Sequence, residues 1–195
     1  MIALLLATAL LAAAPASQSR ALPQSEAAPR EMSDAEIRSS IEAYLGSIDT
    51  PIGAERWRAL GPKAAPILEE LAQDQERLPT RRARALEALS FVGSAAAPKL
   101  MVELAQREDE PPVVRMSAMR GAGRLLGPAR LVAALKPILM TAKDMHVRAA
   151  AAEVLANKSP SAGCAAVNEQ SAREAGPKRI AFRRAVEHCR AALDQ

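Results

Sequence analysis

Apolar residues recur every three or four positions from residue 37 onward, and polar or small residues punctuate the runs. Ile37, Ile41, Tyr44, Leu45 and Ile48 make the first stripe. Ser33 and Glu36 ahead of it have the S-x-x-E spacing of a capping box, so a helix is predicted to open near Ser33. Thr50-Pro51 supplies a second start signal and Gly61 a stop, with Ile52, Trp57 and Leu60 as the apolar candidates between them. Paired stripes follow: Pro62–Gln73 with Pro79–Val92, Ala95–Arg107 with Pro112–Leu126, and Pro128–Thr141 with Met145–Asn157. A last, shorter and less regular pair is expected around Ser161–Val167 and Pro177–Leu193. In the second of these Phe182, Ala185, Val186, Cys189 and Leu193 share one face. No period-2 run appears, so the pattern predicts an all-α chain.

The pairs keep a register. Arg82, Arg115 and Arg148 stand 33 residues apart, each followed three positions later by Ala85, Ala118 and Ala151. Leu86 matches Met119 and Leu89 matches Ala122 at the same spacing. Leu60-Gly61, Val92-Gly93 and Leu126-Gly127 recur at spacings of 32 and 34. A fixed period in the thirties on helix-forming sequence is the mark of stacked helix pairs. The expectation is an α-solenoid of about four antiparallel pairs over residues 32–195. Its core must be built from alanine and leucine, because the chain is 49% hydrophobic but only 2% aromatic.

The first residues read differently. Ile2 to Ala14 is apolar and uncharged, and Ala14-Pro15-Ala16 before Ser17 has the form of a signal-peptidase site. Thirteen residues at ~1.5 Å rise reach about 20 Å, short of the ~30 Å hydrocarbon core. Residues 1–16 are therefore expected to be a secretory signal peptide rather than a span. Residues 17–31, rich in Pro, Ser, Gln and alternating charge, are expected to be a flexible leader. No cysteine precedes Cys164, which excludes an N-terminal lipid anchor on cysteine. The chain is expected to be exported, to a periplasm or beyond.

The segments Gly61-Pro-Lys-Ala-Ala-Pro-Ile-Leu-Glu-Glu-Leu, Gly93-Ser-Ala-Ala-Ala-Pro-Lys-Leu-Met-Val-Glu-Leu and Asp109-Glu-Pro-Pro-Val-Val-Arg115-Met-Ser-Ala118 resemble HEAT repeats, in particular the short repeats of bilin-lyase-like proteins. The resemblance covers about residues 50–160. It implies a partner-binding solenoid in which an acidic residue six before each periodic arginine pairs with it. Glu76 with Arg82 and Asp109 with Arg115 fit that ladder. Before Arg148 the position is Ala142, and Asp144 is the nearest substitute. Independently of the resemblance, an acidic group at the start of the arginine-bearing helix favours its dipole, and a guanidinium can fork between a carboxylate and turn carbonyls.

Catalytic chemistry finds few residues. His146 and His188 are the only histidines, and no spacing matches a zinc or metalloprotease pattern, so neither a metal nor a cofactor is expected. No nucleophile elbow or phosphate-cradling glycine loop occurs. Gly121 and Gly123 lie within a helical pattern, where they suit close helix contact. Cys164 and Cys189 are the only cysteines. Export and their places on the last two helices favour a disulfide; two buried free thiols are the alternative.

Charge completes the reading. The whole chain carries +4, whereas the second helices of the four pairs together carry +9. Arg84, Arg120, Arg124, Arg183 and Arg184 are expected to point outward from them, and a basic face of that kind suits an acidic protein or peptide. The chain is thus expected to be a non-catalytic scaffold. The alternative is an enzyme on a HEAT-like frame, of the chromophore lyase or DNA glycosylase type. With Tyr44, Trp57, Phe91 and Phe182 as the only aromatic residues, base stacking has little to use, and no nucleic-acid partner is expected.

Overall fold

The computed structural model describes residues 31–47 and 50–193, apart from the side chains of Pro177 and Leu193. The expected signal peptide, nearly all of the leader, and the Ile48 and Leu193 members of the stripes lie outside what is described. The described chain is helical, with no strand. After α1 (Asp34–Gly46) and α2 (Ala54–Arg58), its elements pair as α3 (Ala64–Gln73) with α4 (Pro79–Val92) and α5 (Ala97–Gln106) with α6 (Pro112–Leu125). Next come α7 (Pro128–Thr141) with α8 (Met145–Lys158), then α9 (Pro160–Arg173), α10 (Pro177–Ile180) and α11 (Arg183–Leu193). The second helices α2, α4, α6, α8 and α11 pack on one another in sequence order, and α5, α7 and α9 do the same in the other layer. This is an α-solenoid.

Local signals account for the helix ends. Ser33 accepts from the Glu36 amide while the Glu36 carboxylate accepts from the Ser33 amide at 2.8 Å, closing the capping box on α1. Leu78, Pro111 and Asp144, spaced by the same 33 residues, are the N-caps of α4, α6 and α8. The first two precede a proline at the first helical position, where the missing N–H costs no intrahelical bond. Asp144 instead accepts from the amides of His146 and Val147. Gly61 and Gly93 follow helix ends at φ of 74° and 75°, which a side chain would strain. Gly127 has φ −70° and merely caps α7, so the third Leu-Gly repeat keeps its place without the backbone reason.

Small residues set the spacing of the stack. A Cβ on Gly121 would collide with the Met101 thioether on α5, and one on Gly123 would come within 2.8 Å of Val154 on α8. The core runs continuously from Ile37 to Cys189. Cys164 on α9 and Cys189 on α11 are joined as a disulfide, their Cα atoms 5.4 Å apart.

The last pair departs from expectation in two ways. Helix α9 runs for 14 residues instead of stopping near Val167. The stretch expected as one helix from Pro177 breaks into α10 and α11. At the break the amides of Ala181 and Phe182 bond three residues back, to Lys178 and Arg179, and Phe182 is fully buried. The tightened turn swings α11 onto α8 and α9 while Phe182 enters the core.

A test of this packing lies at Gly163, whose added Cβ would sit 2.8 Å from the Leu155 main-chain oxygen. Helix propensity alone would make Gly→Ala stabilising by up to about 1 kcal/mol. Gly163→Ala is instead expected to destabilise by about 1–3 kcal/mol, because a backbone oxygen cannot swing aside. Gly121→Ala faces a flexible methionine and should lose less. Urea midpoints of the two variants decide, and a Gly163→Ala midpoint at or above wild type would contradict the packing.

Candidate functional site

The periodic arginines turn inward, and Arg82 and Arg148 also join repeats. Arg82 donates from Nε to the Ala72 carbonyl at 2.9 Å, and Arg115 donates from Nε to the Ala105 carbonyl at 3.0 Å. Both acceptors lie ten residues before their arginine, in the last turn of α3 and of α5, where helix carbonyls have no intrahelical donor. Arg148 does the same work on the turn of its own pair, donating from Nη1 to the carbonyls of Ala142 (2.7 Å) and Lys143 (3.0 Å).

The carboxylates of this ladder are not the expected ones. Arg82 meets Glu110, in the turn of the following repeat, with Nη2 2.8 Å from a carboxylate oxygen; the side chains are 4% and 2% exposed. Oε1 lies in line to accept, while Oε2 is buried without a hydrogen bond. Arg148 likewise reaches forward, to Glu174 at 2.7 Å. Glu76 and Asp109 are exposed and pair with neither Arg82 nor Arg115. The reason is geometric: a helical side chain leans toward its own N-terminus, which carries the guanidinium over the turn that the next repeat covers.

The middle rung has no carboxylate. The position that matches Glu110 one period later is Lys143, whose side chain is 89% exposed and lies 3.3 Å from Glu108. Arg115 therefore keeps only the Ala105 carbonyl as partner among the described residues, at 5% exposure. At the last rung burial opposes the charge on Glu174, but hydrogen bonds from Gln170 and Arg148 outweigh it and hold the carboxyl below the ordinary glutamate range.

The outward arginines divide into groups. Arg84 is half-buried and donates from Nη1 to the carbonyls of Leu45 and Ser47. Arg124 lies with its guanidinium carbon 4.6 Å from the centre of the Phe91 ring and donates to Ser90 at 3.0 Å. Arg81 and Arg120 are exposed and have no partner among the described residues. With Arg84 they surround a cleft of about 520 Å³ between α4 and α6, where Leu78 and Val113 supply apolar surface and Glu87 an opposing charge. Arg120 and Arg124 share a second cleft with Glu153 and Lys158. Arg183 lies in neither, lining a cleft on α10 and α11 instead, and Arg184 is exposed on α11. The structure thus brings Arg84, Arg120 and Arg124 onto adjoining clefts and leaves Arg183 and Arg184 apart.

Two features went unread in the sequence. Arg81 follows Thr80 in an unremarkable run, and only the rise of α4 puts it beside Arg120. Tyr44, Trp57 and Phe91 gather around one cleft of about 320 Å³ next to Arg84, although 47 residues separate the outer two. Trp57 is buried there, edge-on to Tyr44 with ring centroids 5.3 Å apart. Among the described residues no three His, Cys, Asp or Glu side chains gather in a way that could hold a metal ion. The fold defines the chain as a helical-repeat protein. Beyond that class, no protein family, curated protein or solved structure matches it.

The rungs rank three substitutions. Arg82→Ala leaves the buried Glu110 with only the half-exposed Arg107, 3.8 Å away, and should destabilise by about 3–5 kcal/mol. Arg115→Ala, which loses a carbonyl bond but strands no carboxylate, should cost about 1–3 kcal/mol. The exposed Arg120→Ala should fall within about 0–1 kcal/mol. Denaturation midpoints in any other order would show the rungs misplaced.

Acid should act through Glu174. A carboxyl whose folded pKa is depressed contributes stability above its ordinary value of 4.5 and loses it as pH falls through the folded value. Unfolding free energies measured downward from that pH should decline less steeply in Glu174→Gln than in wild type. Parallel declines would mean the rung does not carry the linkage.

Proposed function

We propose that the chain is an exported, non-catalytic scaffold of the HEAT-repeat kind, and that an acidic protein or peptide docks on its second-helix face. The observation that carries this reading is the cleft between α4 and α6. There the unpartnered Arg81 and Arg120 flank the 63%-exposed Leu78, beside Val113. Cations beside exposed apolar surface suit a segment that alternates carboxylates with an apolar residue. Arg84 contributes positive potential but is less free to move, because the Leu45 and Ser47 carbonyls hold its Nη1. Arg124 stiffens the adjoining wall through Phe91 rather than reaching out. The periodic 33-residue spacing and the inward arginines support the HEAT reading, and the apolar start followed by Ala14-Pro15-Ala16 supports export.

The experiment uses the purified chain and its Arg81→Glu/Arg120→Glu variant as baits on cell-envelope extract. A genuine partner should be enriched on wild type, depleted on the variant, and released as salt rises, since the Debye length falls from ~10 Å at 0.1 M to about 3 Å at 1 M. The on-rate of that partner should drop with salt more than the off-rate rises. Equal recovery on both baits would sink the proposal, provided both melt at the same temperature.

A further inference from the structure

The cations of the last helices form a surface separate from the cleft on α4 and α6. Lys178 and Arg179 on α10 and Arg183, Arg184 and Arg190 on α11 are all exposed. Among the described residues Glu187 is the one carboxylate of α11, 3.8 Å from Arg183, a contact between two exposed side chains. Helix α8 separates the two basic surfaces: its Arg148 is committed to Glu174, and Glu153 lies half-buried. Ile180, at the end of one-turn α10, is 65% exposed, and with Leu78 it is one of only two large apolar side chains so exposed among the described residues. Arg179, Arg183 and Arg190 share its cleft of about 420 Å³ with the half-buried Val186.

We infer that this corner binds the surface of an anionic phospholipid membrane, with Ile180 entering the interface and the surrounding arginines taking lipid phosphates. Charge complementarity points to an anionic surface, because three cations, Arg179, Arg183 and Arg190, share the cleft with one carboxylate, Glu187. The form of the apolar element points to lipid. Ile180 stands 65% exposed at the edge of its cleft beside Arg179, Arg183 and Arg190, and an apolar tip with basic flanks suits the headgroup boundary of a bilayer. Arginine suits phosphate through its planar fork of donors. Each basic side chain near an anionic bilayer adds a factor of about five in affinity, so this patch gives reversible, salt-sensitive attachment. The disulfide between Cys164 and Cys189 ties α11 to α9 and holds the patch in place.

The test is sedimentation of the full chain with phosphatidylcholine vesicles, with and without phosphatidylglycerol. Binding is expected only with phosphatidylglycerol and should decline as salt rises. Arg179→Ala and Arg190→Ala should each weaken it about fivefold. Ile180→Ser should weaken it several-fold while leaving net charge untouched, which a purely electrostatic contact would not. Arg81→Glu/Arg120→Glu, on the other surface, should bind vesicles like wild type, so this result and the scaffold proposal fail independently. All of these positions are exposed, and melting temperatures equal to wild type confirm that each variant folds. No sedimentation with anionic vesicles, an undiminished Ile180→Ser, or displacement by polyglutamate at concentrations where phosphatidylglycerol vesicles do not compete would each overturn the inference; the last outcome would make the patch a site for acidic protein.

Discussion

Short helices packed in layers expose the chain to one recurring problem: main-chain carbonyls at helix ends that the next repeat covers before water can reach them. In α3 and α5, each ten residues long, the last turn is a large share of the helix. A buried carbonyl without a donor costs about as much as a lost hydrogen bond. The Nε–H of Arg82 and of Arg115 meets that need at Ala72 and Ala105, always ten residues back. The shared offset fixes the register of these two arginines, while Arg148 keeps the period with acceptors six and five residues back. Shifting an arginine by one residue would rotate its head about 100° around the helix and away from the carbonyl. Lysine could not substitute, since its single nitrogen cannot face a carbonyl and a carboxylate at fixed angles.

Once the guanidinium is buried, its remaining donors need an acceptor, and at Arg82 and Arg148 the following repeat supplies it. Glu110 and Glu174 come from the following turn, so the same side chain that seals one pair also fixes its distance to the next. At the front of the stack the job passes to more exposed pairs. Arg38 reaches Glu70 at 2.6 Å and Arg77 reaches Glu42 at 2.7 Å, both linking α1 to the α3 pair. Those exposed pairs add little individually. The rungs differ because they are dry. Arg115 stands between two complete rungs with Lys143 turned outward, and the interface there relies on Ala118, Met119, Ala122 and the glycines of α6 instead.

The register was legible because it is a property of the chain: residues 33 apart either repeat or they do not. The capping box at Ser33 and the proline starts at Pro79, Pro112 and Pro128 could be read from the sequence, whereas the start expected at Thr50-Pro51 is wrong: α2 opens at Ala54, with Gly53 as its cap. The carboxylate partners could not be read. A family pattern pointed to residues six before each arginine, but stacking brings residues 28 and 26 after it into reach. The break between α10 and α11 was hidden for a related reason. Phe182, Ala185, Val186 and Cys189 keep helical spacing through it, so the stripe continues although the helix before Phe182 does not. Outwardness was likewise only partly visible. Arg84 and Arg124 do lie on the second-helix face, yet carbonyls of Leu45 and Ser47 and the ring of Phe91 hold them.

That last distinction governs what a basic face can do. A count of +9 on the second helices treats every arginine alike, whereas their acceptors sort them into three kinds. Arginines bonded to buried carbonyls or carboxylates are part of the fold and offer nothing to a ligand. Those held at the surface by carbonyls or a ring shape the potential and keep only part of their donors for a ligand. Only unpartnered ones, such as Arg81 and Arg120, can exchange hydration for contact without first breaking a bond. Holding such cations close together costs self-repulsion, and nothing in the packing of α4 on α6 requires them, since small and apolar side chains fill that interface. Packing therefore leaves Arg81 and Arg120 free either to keep the surface hydrated or to serve the acidic partner proposed above.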